Sequence, residues 1–95
     1  MMNLLIVDDE PIVLDMMQGL VDYAAMGIEQ VWTAGSMKEA IARLEKDPVD
    51  IALCDIEMPG GSGLDLIQYM NEHAPQIVKV IVSAHNEFEF AQRAV

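Results

Sequence analysis

The chain has 95 residues, enough for one domain and too few for two. Acidic residues outnumber basic ones by 16 to 5, and the net charge of −11 argues against direct binding to the phosphate backbone of a nucleic acid. No apolar stretch approaches the roughly 20 residues that cross a bilayer, and no basic leader opens the chain, so we expect a soluble, cytoplasmic protein.

Four short segments rich in aliphatic and β-branched residues predict strands at residues 4–7, 31–34, 51–54 and 78–82. None of them alternates cleanly between polar and apolar residues, which is typical of a parallel sheet that is covered on both faces. The second segment contains Trp32 and Thr33 and is the least aliphatic. We therefore expect it at an edge of the sheet.

Helical patterns follow each predicted strand. Pro11 suits the first position of a helix whose apolar residues continue at three- and four-residue spacing to Ala24, and Gly27 is placed to end it. Ser36 and Glu39 predict a capping box at the start of a second helix, which ends before Pro48.

The third predicted helix follows a glycine-rich loop, in which Ser62 and Asp65 are candidate caps, and its apolar stripe consists of Leu64, Ile67 and Met70. A fourth helix is predicted to begin at Asn86. The resulting order βαβαβαβα predicts an α/β fold of the doubly wound class, with one parallel sheet in a single domain over residues 1–95.

Polar residues follow three of the predicted strands at their carboxyl ends, where ligands bind in open α/β sheets. Asp8 and Asp9 follow the first strand, Asp55 the third and Ser83 the fourth. If the first and third strands are neighbours, three carboxylates converge, and a cation such as Mg²⁺ would offset their repulsion. A carboxylate beside Mg²⁺ can accept a phosphoryl group, and the Ser83 hydroxyl could bond one phosphoryl oxygen.

The same residues also have ordinary structural interpretations. Asp8, Asp9 and Glu10 could cap the first helix and complement its dipole, while Asp55 and Ser83 could be common turn residues after strands. Two acidic strand ends with a hydroxyl on a third strand favour a functional site over these alternatives.

Three motifs carry a family resemblance: residues 5–11 (LIVDDEP), residues 55–64 (DIEMPG, then SGL) and residues 80–84 (VIVSA). In order and spacing they resemble the response-regulator receiver domain of two-component systems. The resemblance implies a flavodoxin-like fold with strand order 2-1-3-4-5. It also implies a phosphorylation switch, not an enzyme.

Site roles follow from this resemblance. Asp55 would accept a phosphoryl group from a sensor histidine kinase. Mg²⁺ would bind directly to Asp9 and Asp55, through water to Asp8 and through the backbone carbonyl of Glu57. Ser83 would be the switch hydroxyl. Residues 83–91 also resemble receivers fused to AraC-type DNA-binding domains, so we expect the whole protein to regulate transcription through a C-terminal domain outside this chain.

The chain departs from the family pattern at its C-terminal end. The spacing of the predicted strands places a fifth strand beyond residue 95, so four βα units are expected and the fifth, with its lysine and aromatic switch residue, is missing. We therefore expect an incomplete receiver domain that exposes its fourth strand. Self-association through residues 78–95 is a further expectation.

Two other classes of function stay open on the residues. Asp55-Ile56-Glu57 is similar to the Asp-x-Asp start of haloacid-dehalogenase-like phosphatases, although these have a second aspartate and a longer chain. A receiver that serves only as a binding module is the other alternative. The presence of Asp8, Asp9, Asp55 and Ser83 argues against it for the whole protein, whereas the missing lysine keeps it open for this chain.

Overall fold

A computed structural model of the chain describes residues 2–55 and 63–82. Four strands form one sheet: β1 (Met2–Val7), β2 (Ile28–Ala34), β3 (Ile51–Asp55) and β4 (Val78–Val82). Three α-helices connect them: α1 (Pro11–Leu20), α2 (Met37–Lys46) and α3 (Gly63–His73). The predicted fourth helix lies outside the described residues.

The described strands are all parallel and lie in the order β2-β1-β3-β4. This order confirms the doubly wound α/β class and the position of β2 at an edge of the sheet. Parallel strands that follow one another along the chain require a crossover connection, and each of the three helices lies in one such crossover. The β1 and β2 strands begin earlier than predicted, at Met2 and Ile28.

Both faces of the sheet carry apolar residues, because successive residues of a strand point to opposite sides. On β1, Leu5 and Val7 pack in a cluster that contains Leu66 and Met70 of α3. The alternate residues of β1, Leu4 and Ile6, pack instead with Leu14 and Met17 of α1. The helices α2 and α3 therefore cover one face, and α1 covers the other.

The first helix is shorter than predicted. It ends at Leu20, and the next residue, Val21, has an extended backbone with φ −119° and ψ 133°. Asp22 then accepts a hydrogen bond from the N–H of Ala25, which favours a separate turn over continuation of the helix. A short 3₁₀ helix follows at Ala24–Met26, and Gly27, with φ 84°, ends that element instead of α1.

The capping box of α2 is confirmed. The Ser36 hydroxyl oxygen accepts a hydrogen bond from the Glu39 N–H at 3.1 Å, and the Glu39 carboxylate accepts one from the Gly35 N–H at 2.6 Å. These bonds satisfy backbone donors that have no partner within the helix. The helix ends at Lys46, before Pro48 as predicted.

The apolar stripe predicted for α3 is partly wrong. Leu66 and Met70 are fully buried, whereas Leu64 is 54% exposed and Ile67 is half-buried. The sequence offers two overlapping sets of apolar residues at helical spacing, and packing of α3 against the sheet selects the set that contains Leu66. Asp65 lies inside the first turn, and Ser62 lies outside the described residues.

A carboxylate cluster at the ends of β1 and β3

Strand register brings Asp8 and Asp55 to the same level of the sheet. Val7 pairs with Cys54 on the neighbouring strand, and one aspartate follows each member of this pair. Asp55 itself pairs with Val82, the last residue of β4. Asp8 and Asp55 therefore lie together at the carboxyl end of the sheet, as expected for neighbouring parallel strands.

Three carboxylates converge at this edge. One oxygen each of Asp8, Asp9 and Asp55 lies within 4.8 Å of the other two. Asp8 and Asp55 are both only 2% exposed, while Asp9 is half-buried and nearer to solvent. The predicted convergence is confirmed, and two of the three acids are enclosed by protein.

Asp8 also organises the turn into α1. Its Oδ1 atom accepts a hydrogen bond from the N–H of Glu10 at 2.9 Å, and its own N–H donates to the carbonyl of Ala34 on β2 at 3.1 Å. Pro11 then begins the helix. The N-cap residue of α1 is Glu10 and the cap has no side-chain hydrogen bond, so Asp8 orders the turn before the helix but does not cap it, and that alternative interpretation of Asp8 is wrong.

The donor set suits a hard divalent cation. Carboxylate oxygens are the ligands that Mg²⁺ prefers, and a cation would offset the repulsion between three acids held so close together. Cys54 does not add a thiolate to this set, because burial raises the pKa of its thiol to about 12. The thiol is therefore neutral at ordinary pH.

Glu57 and Ser83 lie outside the described residues, so their predicted roles stay predictions. His73 is exposed on α3, where its ring stacks on Tyr69 with centroids 4.3 Å apart. Within residues 2–55 and 63–82, no helix has the length and hydrophobicity that a bilayer crossing requires.

Comparison with known proteins defines the family. The family model of the response regulator receiver domain matches residues 4–95 of the sequence, so the chain belongs to this family. The match favours the receiver interpretation over the phosphatase alternative. Receiver domains are typically signalling switches and not catalysts, and they generally bind Mg²⁺ at an acidic cluster.

Two curated relatives illustrate the similarity. The uncharacterized transcriptional regulatory protein YesN of Bacillus subtilis is 32% identical over 95 residues, which are 100% of this chain and 26% of the relative. The response regulator protein PilR of Pseudomonas aeruginosa is 34% identical over 91 residues, covering 96% of this chain and 20% of the relative. The chain thus spans about a quarter or less of the length of these proteins.

Solved structures confirm the receiver fold. A two-component transcriptional regulator AraC from Clostridium phytofermentans superimposes with a TM-score of 0.85 at 25% identity, covering 100% of this chain and 74% of that one. The REC domain of AraT from Geobacillus stearothermophilus gives 0.83 at 30% identity, covering 98% and 72%. The response regulator TrrA, solved in complex with the histidine kinase ThkA, gives 0.78 at 26% identity, covering 93% and 73%.

Proposed function

We propose that residues 1–95 form the phosphorylation-controlled receiver part of a response regulator, with Asp55 as the phosphoacceptor. The observation that carries this proposal is the position of Asp55, a buried carboxylate at the end of β3 with Asp8 and Asp9 beside it. A nucleophile at the carboxyl end of a parallel strand lies where ligands reach an open α/β sheet.

The proposed reaction transfers a phosphoryl group from a histidine of the kinase. A carboxylate oxygen of Asp55 forms a bond to phosphorus while the phosphorus–nitrogen bond breaks, and the electron pair returns to the imidazole ring, which takes up a proton. The product is an aspartyl phosphate. The chain's contribution is to position the carboxylate and to hold the two other acids next to it.

Asp8, Asp9 and Asp55 would hold Mg²⁺ in this site, together with the backbone carbonyl of Glu57. The bound ion would supply positive charge near the transferring phosphoryl oxygens. Ser83 is proposed to donate its hydroxyl to one of these oxygens. Its position in the sequence supports this role, since it directly follows Val82, the residue that pairs with Asp55.

Partners are proposed from the relatives. The complex of TrrA with ThkA supports a sensor histidine kinase as the phosphoryl donor. YesN is named a transcriptional regulatory protein, which supports control of transcription by the whole protein. DNA would be bound by a further domain, since the net charge of −11 disfavours contact with DNA by this chain. Control of transcription would place the protein in the cytoplasm.

Labelling with a small-molecule donor tests the proposal. The protein is incubated with acetyl phosphate and Mg²⁺, and the intact mass and the hydroxylamine lability of the adduct are measured. Asp55→Asn is expected to lose the adduct, while the matched variant Asp15→Asn, which changes an exposed acid on α1, keeps it. Labelling of Asp55→Asn at an unchanged rate would contradict the assignment. Turnover of phosphate esters would instead support the phosphatase alternative.

A further inference from the structure

The basic residues of this acidic chain are concentrated on one helix. Of the four lysine and arginine residues in the described ranges, Lys38, Arg43 and Lys46 lie on α2, and only Lys79 lies elsewhere. The helix carries two acids, Glu39 and Glu45, against these three bases. The other two described α-helices carry acids and no lysine or arginine. Among these helices, α2 is therefore the one with net positive charge.

Two of these bases line a groove between α2 and the edge strand β2. The groove has a volume of about 290 Å³ and is lined by Thr33, Glu39, Ala42, Arg43 and Lys46. The carboxylate of Glu39 already accepts a hydrogen bond from the Gly35 N–H at 2.6 Å. Lys46 is exposed at the end of the helix, where its ammonium group can meet a ligand.

Arg43 is held in place at this groove. It donates a hydrogen bond to Asp47 at 2.8 Å, and its guanidinium carbon lies 5.6 Å from the ring centroid of Trp32. Both contacts restrict the side chain, and a cation over an aromatic face is favourable. Because the guanidinium presents five donors, it can bond a second carboxylate while Asp47 stays bound.

On its strand side the groove is lined by Thr33 of β2. β2 is the terminal strand of the described sheet. The carbonyl of Ala34 points towards β1, because it accepts the N–H of Asp8. Since backbone groups alternate in direction along a strand, the N–H and C=O of Thr33 point away from β1 and towards the open edge.

We propose that this groove binds an extended acidic segment of a partner protein, which adds to β2 as a further strand and places carboxylates on Arg43 and Lys46. A peptide backbone matches the outward groups of Thr33, and acidic side chains match the positive helix. A nucleic acid lacks the extended peptide backbone that would pair with the outward groups of Thr33. The residues that line the groove do not include Asp55, so the interaction goes beyond the proposed phosphotransfer.

Trp32 makes the proposal directly testable, because it is the one tryptophan of the chain and lies on β2. A short peptide of alternating glutamate and valine serves as the probe, and Trp32 fluorescence is followed during titration. We expect saturable binding that weakens as salt is added. A peptide of alternating lysine and valine should not bind. Absence of saturation with the acidic peptide would overturn the proposal.

Matched variants distinguish binding in the groove from nonspecific attraction of the acidic peptide to α2. Lys46→Glu should weaken binding roughly three- to tenfold, as expected for reversal of an exposed charge pair. Lys38 lies on the same helix but outside the groove, so Lys38→Glu should leave binding nearly unchanged. Equal effects of the two variants would overturn the assignment of the groove.

Backbone pairing is tested with the same acidic peptide carrying N-methyl groups on the residues of one edge. We expect binding to be lost, because the methyl groups remove the donors that pair with β2. Unchanged binding would show that the bases merely shield the strand edge and attract acids without strand addition, which would contradict the proposal.

Discussion

Asp8 and Asp55 lie on neighbouring strands, each directly after one member of the paired residues Val7 and Cys54, and both carboxylates are 2% exposed. Two acids held this close while shielded from water repel each other unless a cation or a proton compensates. Asp9, the third acid of the cluster, is the more accessible one. This asymmetry gives the three carboxylates different expected contributions to metal binding.

Removal of single carboxylates should weaken metal binding unequally. Asp9→Ala is expected to weaken Mg²⁺ or Mn²⁺ binding most, and Asp8→Ala less, because Asp8 Oδ1 is already bonded to the Glu10 N–H. Binding should also weaken as the pH falls, since protonated carboxyl groups are poor ligands. Calorimetric titration measures both effects, with Asp15→Ala as the exposed control. Unchanged affinity in Asp9→Ala would refute its role.

Two leucines on α3 should differ sharply in their effect on stability. Leu66 is fully buried, whereas Leu64 is 54% exposed two residues away. Leu66→Ala is expected to lower the free energy of unfolding by about 2–5 kcal/mol, because it leaves a cavity in the core. Leu64→Ala should change it by less than about 1 kcal/mol. Urea denaturation followed by circular dichroism measures the difference, and the reverse ranking would contradict the observed helix face.

Cys54 should make folding sensitive to alkaline pH. Burial raises the pKa of its thiol from 9.0 to about 12, so the unfolded chain loses this proton first. Below pH 9 the contribution of this thiol to the free energy of unfolding is constant. Between about pH 9 and 12 the free energy of unfolding falls by up to about 1.4 kcal/mol per pH unit. Cys54→Ala should flatten this part of the stability curve. Identical alkaline slopes in urea titrations of both proteins would disprove the prediction.

Self-association through residues 78–95 stays a prediction, and the exposed apolar residues of β4 support it. β4 is the last strand of the described sheet, and Val78, Val80 and Ile81 are 58%, 40% and 47% exposed. Antiparallel pairing of two β4 strands about Val80 would place Val78 of one copy opposite Val82 of the other. An unpaired apolar edge favours such pairing.

Light scattering over a concentration series tests this association, with added salt to screen the net charge of −11. Ile81→Lys should shift the protein towards monomer. Ile12→Lys is the control, since Ile12 is 74% exposed on α1, away from β4. A strictly monomeric chain, or an equal effect of both variants, would show that β4 is not the interface.

Local features of this protein could be predicted from the sequence because they depend on residues that are close together in the chain. The capping box of Ser36 and Glu39, the start of α1 at Pro11 and the aliphatic strands all follow from short-range preferences. The same holds for the acidic residues after β1 and β3, whose order and spacing also indicated the family. Chemistry that resides in a contiguous motif can be predicted before the fold is known.

Tertiary structure alone decided which distant residues meet and which faces are buried. The pairing of Val7 with Cys54 places Asp8 beside Asp55 across a separation of 47 positions, because register depends on the packing of the whole sheet. Packing of α3 against the sheet also determines that Leu66 is buried and that Leu64 is exposed. The groove between Thr33 and Arg43 arises in the same way, because a helix and an edge strand form it jointly and neither segment encodes it alone.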